Sequence, residues 1–373
     1  MSFSEILDNL STSRSPLLKR FEALIAPQPT ARLAQMTTQA RALTFQHFGR
    51  TMRMFAPLYL SNECINTCTY CGFSRDNPIL RVTLEAQQVA REAAHLKEEG
   101  FRSILLVAGE HPKFVSNGYL EHCIREVVRI VPAVSLEVGP METPAYEAMV
   151  AAGAEGLVVY QETYHRETYA KLHVSGPKRD FDWRLATPER AHAAGFRRIG
   201  IGALFGLHRW QDEAIALAAH LEYLSRVCWK SHLTVSLPRI RPAAGGFQPE
   251  HPLPDREFIQ LICALRICFP RVGIVLSTRE PAALRDAVIR CGVTMMSAGS
   301  HTDPGGYTGQ GKEKLHLTVR GRPVPVPELT PEAEAAGQFD IADERSPGEV
   351  AAMLRSQGLE PVWKDWDTVL LES

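Results

Sequence analysis

Leu84-Glu85-Ala86-Gln87-Gln88-Val89-Ala90-Arg91-Glu92-Ala93-Ala94-His95-Leu96-Lys97-Glu98-Glu99-Gly100-Phe101-Arg102-Ser103-Ile104-Leu105-Leu106-Val107-Ala108-Gly109 reads as a helix followed by a strand. Leu84, Val89, Ala93 and Leu96 fall near one face of a helix over 84–99, and Gly100 stops it. Residues 103–109 are apolar on successive positions. That is the look of a strand covered on both faces, as parallel sheets require.

The same unit recurs on either side. Eight short apolar runs stand at 55–60, 103–109, 134–139, 156–161, 198–204, 233–238, 273–278 and 293–298. Helical stretches separate them. Residues 212–226 align Leu217, Leu221 and Leu224. Residues 256–268 align Phe258, Leu261, Ile262 and Leu265, with Asp255 as the expected N-cap. Alternation of this kind predicts an α/β fold, a (β/α)8 TIM-type barrel over residues 51–300. A doubly wound open sheet is the alternative. Residues 1–50 form an N-terminal helical extension broken at Ala26-Pro27-Gln28-Pro29. Residues 301–373 form a C-terminal irregular segment plus helix that packs on the barrel. The segment is Gly/Pro-rich over 301–345, including His301-Thr302-Asp303-Pro304-Gly305-Gly306-Tyr307, where Gly305-Gly306 reads as a plain turn. The helix opens at Ser346-Pro347-Gly348-Glu349, which has capping-box spacing, and ends at Gly358. An aromatic tail, Pro361 to Asp367, follows.

Of 373 residues 45% are apolar, enough for a large core, and the formal net charge is −1. No block of like charge offers a nucleic-acid footprint. No stretch approaches the roughly 18–20 apolar residues that span a bilayer, so no membrane association is expected. The N-terminal residues lack a secretory pattern. The scattered cysteines Cys123, Cys228, Cys263, Cys268 and Cys291 are not a disulfide framework, and together these features suit a cytoplasmic protein.

The remaining cysteines form Cys64-Ile65-Asn66-Thr67-Cys68-Thr69-Tyr70-Cys71, directly after the first strand. In a parallel barrel that loop lies on the catalytic face. Three thiolates in C-x3-C-x2-C spacing can wrap one pole of a [4Fe–4S] cluster and leave the fourth iron open. The methionine end of S-adenosylmethionine, with an amine and a carboxylate, suits that open position. A structural zinc site is the competing reading. It needs a fourth ligand, and no second C-x2-C exists in the chain.

This spacing, with an aromatic before the last cysteine, resembles the radical S-adenosylmethionine superfamily. The resemblance narrows on Leu58-Tyr59-Leu60-Ser61-Asn62, Cys68 to Ser74, Gly109-Glu110-His111, Tyr160 to His165, Ser277-Thr278-Arg279-Glu280 and Trp363-Lys364-Asp365-Trp366-Asp367. Together these are similar to the 2-iminoacetate synthase family, the tyrosine lyases of bacterial thiazole (thiamine) biosynthesis. The resemblance covers almost the whole chain. It implies a lyase that splits L-tyrosine at Cα–Cβ into 2-iminoacetate and p-cresol. It also implies a [4Fe–4S] cluster and S-adenosylmethionine as cofactors, reduced flavodoxin or ferredoxin as electron donor, and thiazole synthase as acceptor of the product.

The resemblance gives Tyr70 a contact with the adenine and places Gly109-Glu110 near the amino group of S-adenosylmethionine. It assigns Glu162 to the ribose hydroxyls and Arg184 to the methionine carboxylate. A carboxylate accepts from vicinal hydroxyls and a guanidinium fork matches a carboxylate. Arg279, Ser297 and Ser300 stand at the ends of the last two strands and are expected to hold the substrate carboxylate. Otherwise Arg279 only shapes its loop through Glu280 or Asp303. No general base is assigned. Related enzymes share the cluster loop: tryptophan lyase, the radical synthases of deazaflavin and menaquinone pathways, and the tyrosine lyase of hydrogenase maturation. The last carries a second cluster on C-terminal cysteines, whereas none follows Cys291 here. Anaerobic reconstitution is expected to give a brown protein with iron and acid-labile sulfide. Tight zinc with no sulfide would decide for the competing reading.

Overall fold

The computed structural model describes residues 2–325, 330 and 333–364. Eight parallel strands form where the sequence places them: β1 (Thr51–Ser61), β2 (Ser103–Ala108), β3 (Ala133–Glu137), β4 (Gly156–Glu162), β5 (Arg198–Ala203), β6 (His232–Ser236), β7 (Gly273–Leu276) and β8 (Met295–Ser297). Each pairs with the next in chain order. The sheet closes where Arg53, Met54 and Phe55 of β1 pair with Met295, Met296 and Ser297 of β8. The fold is therefore the (β/α)8 barrel, and closure excludes the open doubly wound sheet.

Side-chain alternation along β1 and β2 builds the two layers. Met54, Ala56, Leu58, Leu60, Ile104 and Leu106 join the core beneath the helices. Phe55, Tyr59, Leu105 and Val107 point the other way and form a separate cluster with Val158, Val275 and Met295 inside the barrel. One strand must be thin for the interior to keep room. A Cβ at Gly202 of β5 would lie 2.8 Å from the Tyr160 ring and 2.6 Å from the Ser236 carbonyl oxygen. Glycine there lets Tyr160 stand inside the barrel.

The helices agree with the sequence pattern except in detail. Ala86–Glu98, Trp210–Val227 and Asp255–Cys268 form as expected. Asp255 is not the cap, because Pro254 holds that place and Asp255 is the first helical residue. Its carboxylate is drawn instead to Arg239, 2.7 Å away. The N-terminal residues form helices at Phe3–Asp8, Pro16–Ile25 and Thr30–Phe48. They are broken at 26–29 and also before Ser15, which caps the second. Buried Gln260 ties them to the barrel, donating to the carbonyls of Leu24 and Ala26 at 2.7 Å each.

The C-terminal segment contributes more than packing. Glu360–Val362 forms a ninth parallel strand, β9, beside the start of β1. It escapes sequence detection because it is three residues long and contains Pro361, which lacks an N–H. Trp363 meets Phe101 edge-on at 5.2 Å, so the part of the tail that is described packs on the barrel. Asp365, Trp366 and Asp367 lie outside the described residues. Within 301–345, His316–Val319 and Arg322–Val324 form a hairpin that extends Ile79–Arg81 antiparallel. The final helix begins with the expected capping box at Ser346 and Glu349.

One buried ion pair fastens this segment over the barrel. Arg285 and Asp343 pair with both side chains fully excluded from solvent. Arg285 also donates to the carbonyl of Ser297 at the end of β8. Asp343 is also bound by Arg345, whereas Arg285 has Asp343 as its hydrogen-bonded carboxylate, so removing Asp343 strands the Arg285 guanidinium in the core. D343A is expected to lower unfolding stability by about 3–5 kcal/mol, read from the midpoint of denaturant unfolding.

Candidate active site

The three-cysteine loop leaves β1 at Ser61, and buried polar groups fix its path. The Arg81 guanidinium donates to the carbonyls of Asn62, Phe73 (3.1 Å) and Ser74 (2.8 Å), spanning both ends of the loop. The Asn62 amide donates to Leu80 (2.9 Å) and Ala336 (3.0 Å) and accepts from the Val82 N–H at 2.8 Å. Asn77 donates to the carbonyls of Cys71 and Gly72 at 3.1 and 3.0 Å. Orphaned loop carbonyls are thus satisfied by side chains, not by regular structure.

Asn66, between the first two cysteines, joins this loop to two others. Its amide donates to Glu110 Oε2 at 2.7 Å, and its carbonyl accepts from the Lys178 N–H at 2.9 Å. The chain at Gly176 passes so close that a Cβ would lie 2.3 Å from Asn66 Oδ1, and its φ of +93° is left-handed. Only glycine meets both demands.

Cys64, Cys68 and Cys71 line one cleft together with Gly109, Glu110, Glu162, Lys178 and Arg184. Burial pushes the Cys68 and Cys71 thiols up, with Lys178 opposing. Thiolates there need a strong compensating positive charge, which a bound metal group supplies. Among the described residues, no three Cys, His, Asp or Glu side chains converge tightly enough to hold a single metal ion. A cubane asks for something different, since each thiolate binds its own iron. The donor set, three thiols open to one side, fits an iron–sulfur cluster with one iron left for another ligand.

Opposite the thiols stands a buried charge cluster. Lys178 Nζ donates to Glu162 Oε1 at 2.6 Å, and Arg184 Nη2 approaches the same oxygen at 3.4 Å. Arg184 Nε donates to the Tyr160 carbonyl at 2.7 Å. Burial alone would raise the Glu162 carboxyl, but Lys178 and Arg184 outweigh it and hold it below its usual range. Both cations use Oε1, which leaves Oε2 for another donor. The Glu162 backbone is left-handed, with φ 71°, where the β4–β5 register shifts. That conformation costs about 1–3 kcal/mol in a non-glycine residue and is typical of functional positions. Tyr70 is held by its hydroxyl, 2.9 Å from His173 Nε2. Burial, reinforced by Lys178, pushes the imidazole of His173 down to about 3, so it is neutral. Its Nδ1–H donates to the Tyr169 carbonyl at 2.8 Å, which leaves Nε2 to accept from Tyr70.

A second chamber opens from the first and shares Glu137, Tyr160 and Gln338 with it. Its wall carries Phe55, Leu105, Val107 and Val275, and its polar end carries Arg279, Ser297 and Ser300. The sequence offered Glu280 or Asp303 as partners for Arg279. Neither takes that role. Glu280 is bound by Arg239 in a forked ion pair, Nε to Oε2 at 3.0 Å. The Arg279 guanidinium instead lies 3.3 Å from the Phe339 ring centroid. Among the described residues it has no carboxylate hydrogen-bonded to it. Ser297 Oγ accepts from the Thr278 N–H at 3.2 Å. Ser300 Oγ is buried with no hydrogen-bond partner among the described residues.

The structure brings every site residue expected from sequence to these two chambers or to the passage between them. Tyr70 lines the passage between them, with Glu137, Tyr160 and Gln338. Gly109 acts by its small size, since a Cβ would lie 2.3 Å from the Glu63 carbonyl oxygen. Sequence reasoning missed Asn66, Glu137, Tyr160, Lys178 and Gln338. Glu137 and Tyr160 carry a signal in hindsight, being polar residues at or near the ends of otherwise apolar strands. Lys178 and Gln338 come from irregular segments and carry none.

A closed parallel barrel with a three-thiol loop after its first strand defines a radical S-adenosylmethionine enzyme, and residues 58–221 match the Radical SAM superfamily. Residues 236–360 match the Biotin and Thiamin Synthesis associated domain. The chain is 42% identical to 2-iminoacetate synthase of Escherichia coli (strain K12) over 349 residues, 93% of this chain and 87% of that one. To 2-iminoacetate synthase of Salmonella typhimurium it is 40% identical over the same shares. The solved structure of the FeFe-hydrogenase maturase HydG from Carboxydothermus hydrogenoformans superposes with a TM-score of 0.82 at 34% identity, covering 97% of this chain and 80% of that one. The chain belongs to the 2-iminoacetate synthase family. Iron–sulfur and S-adenosylmethionine dependence come with that membership. Among the described residues no helix is long and apolar enough to cross a membrane.

Asn66 is 2% exposed. N66A is therefore expected to leave Glu110 Oε2 and the Lys178 N–H without partners, at a cost of about 1–3 kcal/mol. Thermal unfolding should show the loss, and equilibrium dialysis should show weaker S-adenosylmethionine binding by cluster-loaded protein.

Proposed function

We propose that this chain is a carbon–carbon lyase that cleaves L-tyrosine at Cα–Cβ to 2-iminoacetate and p-cresol, consuming S-adenosylmethionine to methionine and 5′-deoxyadenosine. The single observation that carries the reading is the joining of two chambers. One is lined by thiols and the Glu162–Lys178–Arg184 cluster. The other combines an apolar wall with an uncommitted arginine and an unpartnered serine hydroxyl. An aromatic amino acid has those two halves.

Cys64, Cys68 and Cys71 hold a [4Fe–4S] cluster. When bound, the cluster supplies the electron that breaks the sulfonium carbon–sulfur bond. The residues of the chain position and shield. Arg184 takes the methionine carboxylate, Glu110 accepts from the amino group beside it, and Glu162 offers Oε2 to the ribose. Tyr70, with its hydroxyl fixed by His173, packs against the adenine. Arg279 forks onto the tyrosine carboxylate, with the Ser297 and Ser300 hydroxyls donating to it. A carboxylate in an enclosed chamber needs such neutralisation. The apolar wall takes the aromatic ring and excludes water and stray hydrogen donors.

By family, reduced flavodoxin or ferredoxin supplies electrons in the cytoplasm, and thiazole synthase receives the unstable imine. Reduced, cluster-loaded protein incubated anaerobically with S-adenosylmethionine and tyrosine should release 5′-deoxyadenosine and p-cresol, both quantified by chromatography. C68A should release neither. Formation of 5′-deoxyadenosine with no p-cresol would reject the lyase assignment and leave the radical class standing.

A further inference from the structure

Four carboxylates line the chambers: Glu110, Glu137, Glu162 and Glu280. Three are engaged. Glu110 accepts from Asn66, Glu162 is bound by Lys178 and Arg184, and Glu280 is bound by Arg239. Glu137, the last residue of β3, has no hydrogen-bond partner among the described residues. It lines both chambers and the passage between them. After burial, the group that acts on it most strongly is Arg279.

This position is informative because an amino acid carries its ammonium and its carboxylate on the same carbon. Resting on the tyrosine-lyase reading, the carboxylate lies at Arg279. The ammonium then projects toward whatever faces Arg279 across the chamber. It also has to lie at the junction of the chambers, since the hydrogen that is removed must reach the nucleoside side. Glu137 meets both conditions.

We propose that Glu137 is the proton acceptor for the substrate ammonium, delivering the neutral amine from which hydrogen is abstracted. One N–H bond breaks, its electron pair stays on nitrogen, and the proton forms an O–H bond on the Glu137 carboxylate. No oxidation or reduction is involved. Abstraction from an ammonium would leave a radical cation desolvated in an enclosed chamber. Abstraction from the amine leaves a neutral radical.

Burial raises the Glu137 carboxyl to about 7, with Arg279 opposing. A base near neutrality is matched to this transfer. The groups facing it are Arg279, Arg184, Lys178, Glu162, Tyr59 and Tyr160. Arg184 and Lys178 stay charged, burial keeps both phenols protonated, and Glu162 is held ionised. Glu137 is the member of this set that titrates near neutral pH.

The test uses cluster-loaded wild type, E137Q and E137D. Without reductant, binding of L-tyrosine is compared with binding of 3-(4-hydroxyphenyl)propanoate, which lacks the amine. E137Q should lose about tenfold or more in tyrosine affinity while binding the amine-free probe at least as well as wild type. An unchanged thermal unfolding midpoint and unchanged cluster absorbance would certify the fold. With reductant, kcat/KM for tyrosine should fall in wild type as pH drops through about 7. Below that value the carboxyl is already protonated and cannot accept. In E137Q the acid limb should move up toward the pKa of the amine itself, and E137D should restore part of the rate with a limb near that of wild type. A glutamine variant that keeps both the tyrosine preference and the wild-type limb would overturn the proposal alone. Wild type that neither binds tyrosine nor forms p-cresol would overturn the lyase reading and this proposal with it.

Discussion

Closure of one parallel sheet is the constraint on which the rest of this molecule depends. β1 carries the burden, since it pairs with β2 on one side and with β8 on the other, and β9 extends the pairing at its start. Closure points the C-terminal ends of all eight strands at one rim. There the thiol loop after β1, Glu110 after β2, Glu137 of β3, Glu162 of β4, Arg279 after β7 and Ser300 after β8 face a common space. Residues more than two hundred positions apart become neighbours through hydrogen-bond register. An open sheet would splay the first and last strands, and the two chambers would not join.

The second organising feature is the balance of buried charge. Glu162 is tolerable inside the barrel because Lys178 and Arg184 share one of its oxygens, and those cations are tolerable because of Glu162. The same logic holds outside the site. Glu155 is bracketed by Arg53, Arg197 and Arg198, and Asp343 is paired with Arg285. Burying one such charge alone would cost several kcal/mol. Among the described residues, the Glu137 carboxyl, the Arg279 guanidinium and the Ser300 hydroxyl are left in the chambers without hydrogen-bonded partners, and they therefore stand out.

The cluster loop shows how rigidity is reached without regular structure. Arg81 and Asn77 donate to loop carbonyls, Asn62 braces the start of the loop against Leu80 and Ala336, and Asn66 donates to the Glu110 carboxylate and accepts from the Lys178 N–H. Three of these four are amides, whose paired donor and acceptor can bridge segments of different direction. The thiols are thus presented by a framework of hydrogen bonds within the protein.

Much of this was legible in the chain. The eight apolar runs fix the strands because burial on both faces leaves few polar positions to interrupt them. The C-x3-C-x2-C spacing fixes the ligand loop because consecutive thiols on one short loop must face one object. Glu110, Glu162, Arg184, Arg279, Ser297 and Ser300 were placed by family likeness together with their positions at or beyond strand ends. Tertiary structure alone decided three things. It assigned Glu280 to Arg239 and so freed Arg279. It brought Lys178 and Gln338 into the site from irregular segments. It left Glu137 unpaired between two chambers, although β3 is an ordinary strand in sequence. Local pattern records which face of a strand is buried. Which charges meet across a closed barrel depends on register between strands far apart in sequence, and the chain does not write that down locally.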